Sequence, residues 1–235
     1  MIEFIGGVAL ALAAAGAQAQ DGGALVGGLE KLAEAGNADA LYHLGMLHQN
    51  GLGTPRDLKR ALGYFRRAAA TGSALGAYKL GCYYAGQYGV IEPDGAEALR
   101  YKLVAAEAGY SLAQLDVAAI FARRGETATA AEWLGKAASQ GERRALLALS
   151  NLHGGGHGAP RDAAASVAYL ALLAKLPDMS AEVRTKVAER EGKLTPDERA
   201  RMRAIVDEYA PGPTPLTLEA RSGRRAAEEL LARRR

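Results

Sequence analysis

Four histidines, one cysteine and a run of three glycines are the residues of this chain whose chemistry most needs an account. His43, His48, His153 and His157 are of the type that ligates metals or moves protons near neutral pH. His153 and His157 flank Gly154-Gly155-Gly156, a loop supple enough to bring both rings to one ion, but no third ligand has an evident place. The same glycines make no phosphate cradle, because they lack a preceding strand and the Lys-Ser/Thr pair of a P-loop. Cys82 stands alone, so the chain can build neither an internal disulfide nor a cysteine-based zinc site, and it reads as a small, soft helix residue. Serine is scarce and no Ser-Gly elbow opens a helix, while Glu228-Glu229 lie side by side on a solvated helix face. No nucleophile, base and oxyanion donor can be assembled together. The chemistry-bearing residues therefore predict a protein that is not an enzyme, with no catalytic residue, no metal and no cofactor.

The elements around these residues are helical. Alanine dominates, β-branched residues are sparse, and Leu, Glu, Arg and Lys supply much of the rest. All lose little side-chain freedom in a helix. The 235 residues carry a formal charge of only +3, and the excess gathers at Arg221, Arg224, Arg225 and Arg233 to Arg235. A nucleic-acid binder usually spreads a basic stripe across its fold, so no nucleic-acid partner is expected.

At the other end, Phe4 to Gly16 is an apolar run of thirteen residues, too short for the roughly 30 Å core of a bilayer. Ala17-Gln18-Ala19 places small residues where signal peptidase requires them. Residues 1–19 thus read as a signal peptide, with the mature chain starting at Gln20. Glu3 stands where a positive residue is usual. The expected location is the bacterial periplasm or the medium.

The strongest pattern is internal repetition. Residues 37–72 read NADALYHLGMLHQNGLGTPRDLKRALGYFRRAAATG, and residues 73–109 repeat the pattern. Leu44-Gly45 recurs as Leu80-Gly81; Asp57, Ala61, Tyr64, Ala68-Ala69 and Gly72 recur as Asp94, Ala98, Tyr101, Ala105-Ala106 and Gly109. A third unit, 110–141, has a shortened inner loop, with Phe121 where His48 stood and Trp133 in the tyrosine place. A fourth begins near Glu142, and its Gly156 to Asp162 match Gly51 to Asp57 at an offset of 105. Leu25 to Gly36 look like the second half of a unit that precedes them all. In each unit the first helix puts Leu41, Leu44, Leu47 and His48 on one side. Gly45 admits a close neighbour, Gly51-Leu52-Gly53 and Pro55 end the helix, and Asp57 caps the next. Gly72 stops that second helix in a left-handed cap. A lone pair cannot bury its apolar face, so units must stack.

The pattern A-x3-LG-x2-Y-x2-G-x-G, then D, then A-x2-Y-x3-AA-x2-G resembles the Sel-one-like repeat (SLR) family, a relative of the tetratricopeptide repeat. The resemblance covers about Leu25 to Leu176. It implies an all-α, right-handed α-solenoid of about four to five helix-pair repeats with a C-terminal helical cap, spanning 20–177. His48 and His153 then replace a core tyrosine and are packing residues. The resemblance further implies protein or peptide binding on a concave face lined by first helices, at Asp39, Tyr42, Met46, Gln49, Tyr78, Leu115, Arg123, Arg144, Leu147 and Asn151. Exported members act as signalling regulators and as immunity proteins, and a regulator, adaptor or immunity protein is expected here. A cell-wall enzyme or β-lactam-binding protein is the first alternative, weakened because such relatives carry a disulfide in each repeat.

Ser180 to Gly192 reads as a polar helix. Thr195-Pro196-Asp197-Glu198 is a capping box with proline at the first helical place, opening a helix to about Tyr209. Residues 178–210 are expected to cap the solenoid. Pro211-Gly212-Pro213-Thr214-Pro215 breaks the chain, and 211–235 is expected to be a mobile basic tail. Its arginines make membrane-surface association the second alternative.

Overall fold

The structure, a computed structural model, describes residues 22–155 and 160–233. The expected signal peptide, His157 and the last two arginines lie outside these residues. Thirteen helices occupy the described residues. α1 covers 22–34. Four pairs follow: α2 (Ala38–Asn50) with α3 (Leu58–Ala70), α4 (Ala74–Tyr84) with α5 (Gly95–Glu107), α6 (Ser111–Arg123) with α7 (Thr127–Ala138), and α8 (Arg143–His153) with α9 (Ala163–Lys175). The chain ends in α10 (Ala181–Glu191), α11 (Pro196–Glu208), α12 (Pro215–Ser222) and α13 (Arg224–Ala232). The fold is all-α, with helices packed in consecutive pairs as an α-solenoid of the SLR type. No helix among the described residues is long and apolar enough to cross a membrane. The chain forms two compact units, one of residues up to Val104 together with Glu219 onward, the other of Ala105–Leu218.

In the first unit the cap expected at Asp57 is in place, and Asn37 and Ser73 supply two more. Asn37 accepts from the Ala40 N–H at 2.8 Å, Asp57 from Arg60 N–H at 2.9 Å and Ser73 from Gly76 N–H at 3.0 Å. Each such cap contributes about 1 kcal/mol. Gly51 ends α2 at φ 70°, the left-handed conformation that glycine adopts without a Cβ penalty. Gly45 is a packing requirement: a Cβ there would lie 2.5 Å from the fully buried Phe65 ring. Phe65 in turn meets Tyr83 at 5.9 Å, and the Tyr83 hydroxyl donates to the Leu58 carbonyl at 3.2 Å.

The second unit builds the same crossing differently. Ser150 occupies the place of Gly45 and Ser166 that of Ala61, both at the offset of 105. Both are buried, and each hydroxyl donates to the other's carbonyl at 2.8 Å. α10 and α11 pack on α9. Leu194 and Met202 bury against Ala164, Val167 and Ala168. The capping box of α11 is complete, with Glu198 N–H donating to Thr195 Oγ1 at 3.3 Å and Thr195 N–H to Glu198 Oε2 at 2.8 Å.

The C-terminal segment departs from the mobile tail expected of it. Within the second unit the Tyr209 hydroxyl donates to the Ala138 carbonyl at 2.7 Å, and Gly212 N–H to the Ser139 carbonyl at 2.9 Å. Thr214 Oγ1 donates to the Gly109 carbonyl at 2.9 Å, and Thr217 Oγ1 to Gln140 Oε1 at 2.7 Å. Gln140 Nε2 donates to the Gly109 carbonyl and to Gln114 Oε1 at 2.8 and 2.9 Å. Thr217 also accepts from the Ser111 N–H at 3.1 Å and is fully buried. Helix-to-helix turns at Gly109 and Gly141 leave backbone groups unsatisfied, and this segment supplies partners for them. In the first unit, α13 packs on α2 with Ala227 buried, and the Leu231 side chain lies where a Cβ on Gly28 would be only 2.8 Å away. Arg224–Glu228 and Arg225–Glu229 pair along α13, so the basic tail spends part of its charge on itself.

Replacing Thr217 by Val keeps the shape and removes the hydroxyl, so Gln140 Oε1 keeps only the Thr214 N–H at 3.1 Å and the buried Ser111 N–H loses its Thr217 acceptor. The expected loss is about 1–3 kcal/mol of unfolding free energy in a urea titration, with Thr217→Ser closer to the parent. A Thr217→Val chain as stable as the parent means that this segment does not anchor the unit.

Candidate binding groove

The concavity that coincides with predicted binding residues lies in the second unit, over α6, α7 and α8. Its volume is about 370 Å³. Leu115 and Leu152 are buried in its floor, and Ala118, Ala119, Ala122 and Ala148 keep its walls low. Leu134 of α7 forms a further wall. Leu147 stands in it 45 % exposed, one residue from the fully buried Leu146. Arg144 and Asn151, one helical turn to either side of Leu147, add the polar groups. The geometry suits an apolar ligand segment, with an amide for hydrogen bonding and a guanidinium for a carboxylate.

Four of the expected residues therefore meet here: Leu115, Arg144, Leu147 and Asn151. Arg123 is exposed at the end of α6 and does not line this groove. Sequence reasoning passed over Leu134 and Thr127, which come from a second helix. Their signal was the shortened inner loop of the third repeat, which carries α7 up to the groove.

In the first unit the predicted residues divide by burial. Asp39 is exposed, and Met46 and Tyr78 are half-buried. Tyr42 and Gln49 are buried and belong to the packing, a correction to their expected place among surface contacts. The Tyr42 ring sits 6.2 Å from Phe65, and the Gln49 carbonyl accepts from Arg56 Nε at 3.1 Å. Both point inward because the repeat's apolar stripe is wider than the Leu-x2-Leu spacing suggests.

The histidines are structural in their surroundings. His48 stacks on Tyr64 at 5.4 Å and 13°, and His153 on Tyr169 at 5.6 Å and 17°. Tyr84, at the equivalent place in the second repeat, stacks on Tyr101 at 5.7 Å and 4°. The imidazole thus substitutes for a phenol ring, as the resemblance implied. The possible His153–His157 ion site involves a residue outside those described. Among the described residues no group of three or more His, Cys, Asp or Glu side chains is placed to hold a metal. Cys82 is buried and forms no disulfide.

His43 is buried, and desolvation drives its pKa down to about 4 against a weaker upward pull from Asp39. The unfolded residue titrates near 6.5. Between these values the unfolded chain binds the proton that the folded chain refuses, so stability falls as pH drops from about 6.5 towards 4 and is unaffected above. In His43→Leu the slope of unfolding free energy against pH should be shallower across this window by up to about 1.4 kcal/mol per pH unit. Identical slopes would show that His43 is not kept neutral by the fold.

These features have counterparts in known proteins. The Sel1 repeat model matches residues 38–73, 74–110, 126–142 and 143–178, together more than half of the chain. No curated protein sequence matches. Among solved structures, a Sel1 repeat protein from Oxalobacter formigenes is similar at 22 % identity and a TM-score of 0.59, over 77 % of each chain. At that identity the likeness is one of fold. The protective antigen c5321 of uropathogenic Escherichia coli, described as displaying an SLR fold, aligns at 21 % identity and a TM-score of 0.47, over 86 % of this chain and 50 % of its own. With its repeats matched over most of α2 to α9, their aromatic stacks in register and their turns closed by glycine, this chain belongs to the Sel1 repeat family, whose members generally serve as protein-binding scaffolds.

Proposed function

We propose that this chain is an exported, non-catalytic adaptor, regulator or immunity protein that holds an apolar segment of a protein partner in the groove over α6, α7 and α8. The observation that carries the reading is Leu147, left 45 % exposed beside the buried Leu115 in an alanine-walled groove. An exposed leucine in a concave apolar surface costs solvation energy that a partner's side chain relieves. Asn151 supplies hydrogen bonds to an extended backbone, and Arg144 selects for a carboxylate on the partner.

The test needs variants that alter the groove without emptying the core. Leu115 is too buried for that purpose, whereas Leu147 and Arg144 are exposed. The mature chain from Gln20 is used to capture partners from periplasmic extract, beside a Leu147→Asp, Arg144→Glu double variant and a Leu52→Asp control. Leu52 is 50 % exposed in the first unit. A partner retained by the parent and the control should bind the double variant at least roughly tenfold more weakly, the scale of a central apolar contact. Equal capture by all three chains removes the groove from the reading.

Export rests on the apolar run before Ala17-Gln18-Ala19. Expression in a Gram-negative host should yield periplasmic protein whose first residue is Gln20. Uncleaved protein confined to the cytoplasm would overturn this part of the proposal.

A further inference from the structure

A different cavity of the second unit lies where the end of α8, the start of α9 and the end of α10 meet. Its volume is about 390 Å³, within the range of small-molecule sites. The floor is rigid: Ser150, Ser166 and Val167 are buried, and the two serines are locked to each other's carbonyls at 2.8 Å. Leu194, also buried, closes an apolar side.

Arg161, Arg190 and Lys193 share the lining, and no carboxylate does. The acids nearby in sequence are engaged elsewhere. Asp162 caps α9 through the Ala165 N–H and pairs with Arg201 at 2.7 Å. Glu198 is held by Thr195, though its charge is felt by Arg161, and Glu191 faces Arg203 at 4.0 Å. None of the three lining cations forms an ion pair or a side-chain hydrogen bond among the described residues. Ala163, also in the lining, opens the thirteen-residue α9, whose N-terminus adds partial positive charge.

Three cations without an ion-pair partner around one cavity repel each other, and a multivalent anion relieves that repulsion where a single carboxylate would leave most of it. We propose that this cavity binds a small ligand bearing a phosphate or sulfate group. The tetrahedral oxyanion sits among Arg161, Arg190 and Lys193, and the compact body of the ligand covers Val167 and Leu194. The site shares Asn151 with the α6–α8 groove, but its three cations come from outside that groove.

Calorimetric titration of the full chain at constant ionic strength tests this, with inorganic phosphate, pyrophosphate, sulfate and adenosine monophosphate as probes and acetate for comparison. Saturable one-to-one binding is expected, with pyrophosphate tighter than acetate. Arg190→Gln and Lys193→Gln should each weaken it roughly tenfold, the scale of one charge-assisted hydrogen bond. The triple variant with Arg161→Gln should abolish it, while Lys59→Gln in the first unit leaves it unchanged. All three cations are exposed, so the variants remain folded, as circular dichroism can verify. Vesicles containing phosphatidic acid distinguish a lipid headgroup from a free metabolite: binding to vesicles alone, lost in the triple variant, assigns the same chemistry to a lipid. Saturable binding neither of a soluble phosphate or sulfate probe at millimolar concentration nor of the vesicles, or equal binding by parent and triple variant, overturns the proposal.

Discussion

Each repeat depends on how closely its two helices can approach where they cross. At Gly45 a single added carbon would lie 2.5 Å from the Phe65 ring. At Gly81 it would lie 2.9 Å from Lys102 and 3.1 Å from the Ala98 carbonyl. At the equivalent place in the fourth repeat, Ser150 and Ser166 accept the extra atoms and convert the close approach into two reciprocal hydrogen bonds. Once the crossing is fixed, the aromatic place at the far end of the first helix faces the tyrosine of the second. His48–Tyr64, Tyr84–Tyr101 and His153–Tyr169 are all stacked within 17° of parallel. A flat ring of either chemistry fills that slot, which is why imidazole replaces phenol without loss of the fold. Stacks of this kind add about 0.5–1.5 kcal/mol each beyond the area they bury.

The glycine turns between helices have a second consequence. Gly109 and Gly141 adopt φ 94° and 80°, and the chain reverses there too tightly for all its carbonyls to find partners within the helices. The Gly109 carbonyl accepts hydrogen bonds from Gln140 Nε2 and Thr214 Oγ1. The prolines around Thr214 cannot donate and hold the segment extended, and the contacts are made by the Gly212 and Thr214 N–H groups with the threonine and tyrosine hydroxyls. A run that disfavours helix is thereby suited to lie along a row of turns, and Pro215 then starts α12 at the position where proline costs nothing.

Alanine content shapes the groove of the second unit. Small side chains on α6 and α8 leave a shallow apolar trough, into which Leu147 projects. A bulkier wall would fill the trough; a polar one would abolish the solvation energy gained by covering it. The cavity at α9 and α10 uses the opposite chemistry, with charge at the rim and a floor already satisfied. One helical scaffold thus offers an apolar surface and a cationic one, each set by a handful of exposed residues.

Much of the fold was legible in the sequence because a repeat states each constraint several times. Leu-Gly at the crossing, Asp at the cap and Gly at the turn depend only on local conformation and nearest neighbours, so their spacing specified the helix pairs, their caps and the packing role of His48 and His153. Which of the named residues line a concavity was legible only in part. Periodicity assigns a face to Tyr42 and Gln49 but not the depth to which a neighbouring element covers it, and both are buried. The order of the C-terminal segment was not legible at all. Thr214 and Thr217 meet Gly109 and Gln140 across 74 to 108 residues, and no local pattern encodes so distant a pairing. The gathering of Arg161, Arg190 and Lys193 around one cavity has the same character: sequence supplies the charges, and only the packing of α10 on α9 decides that they share a space.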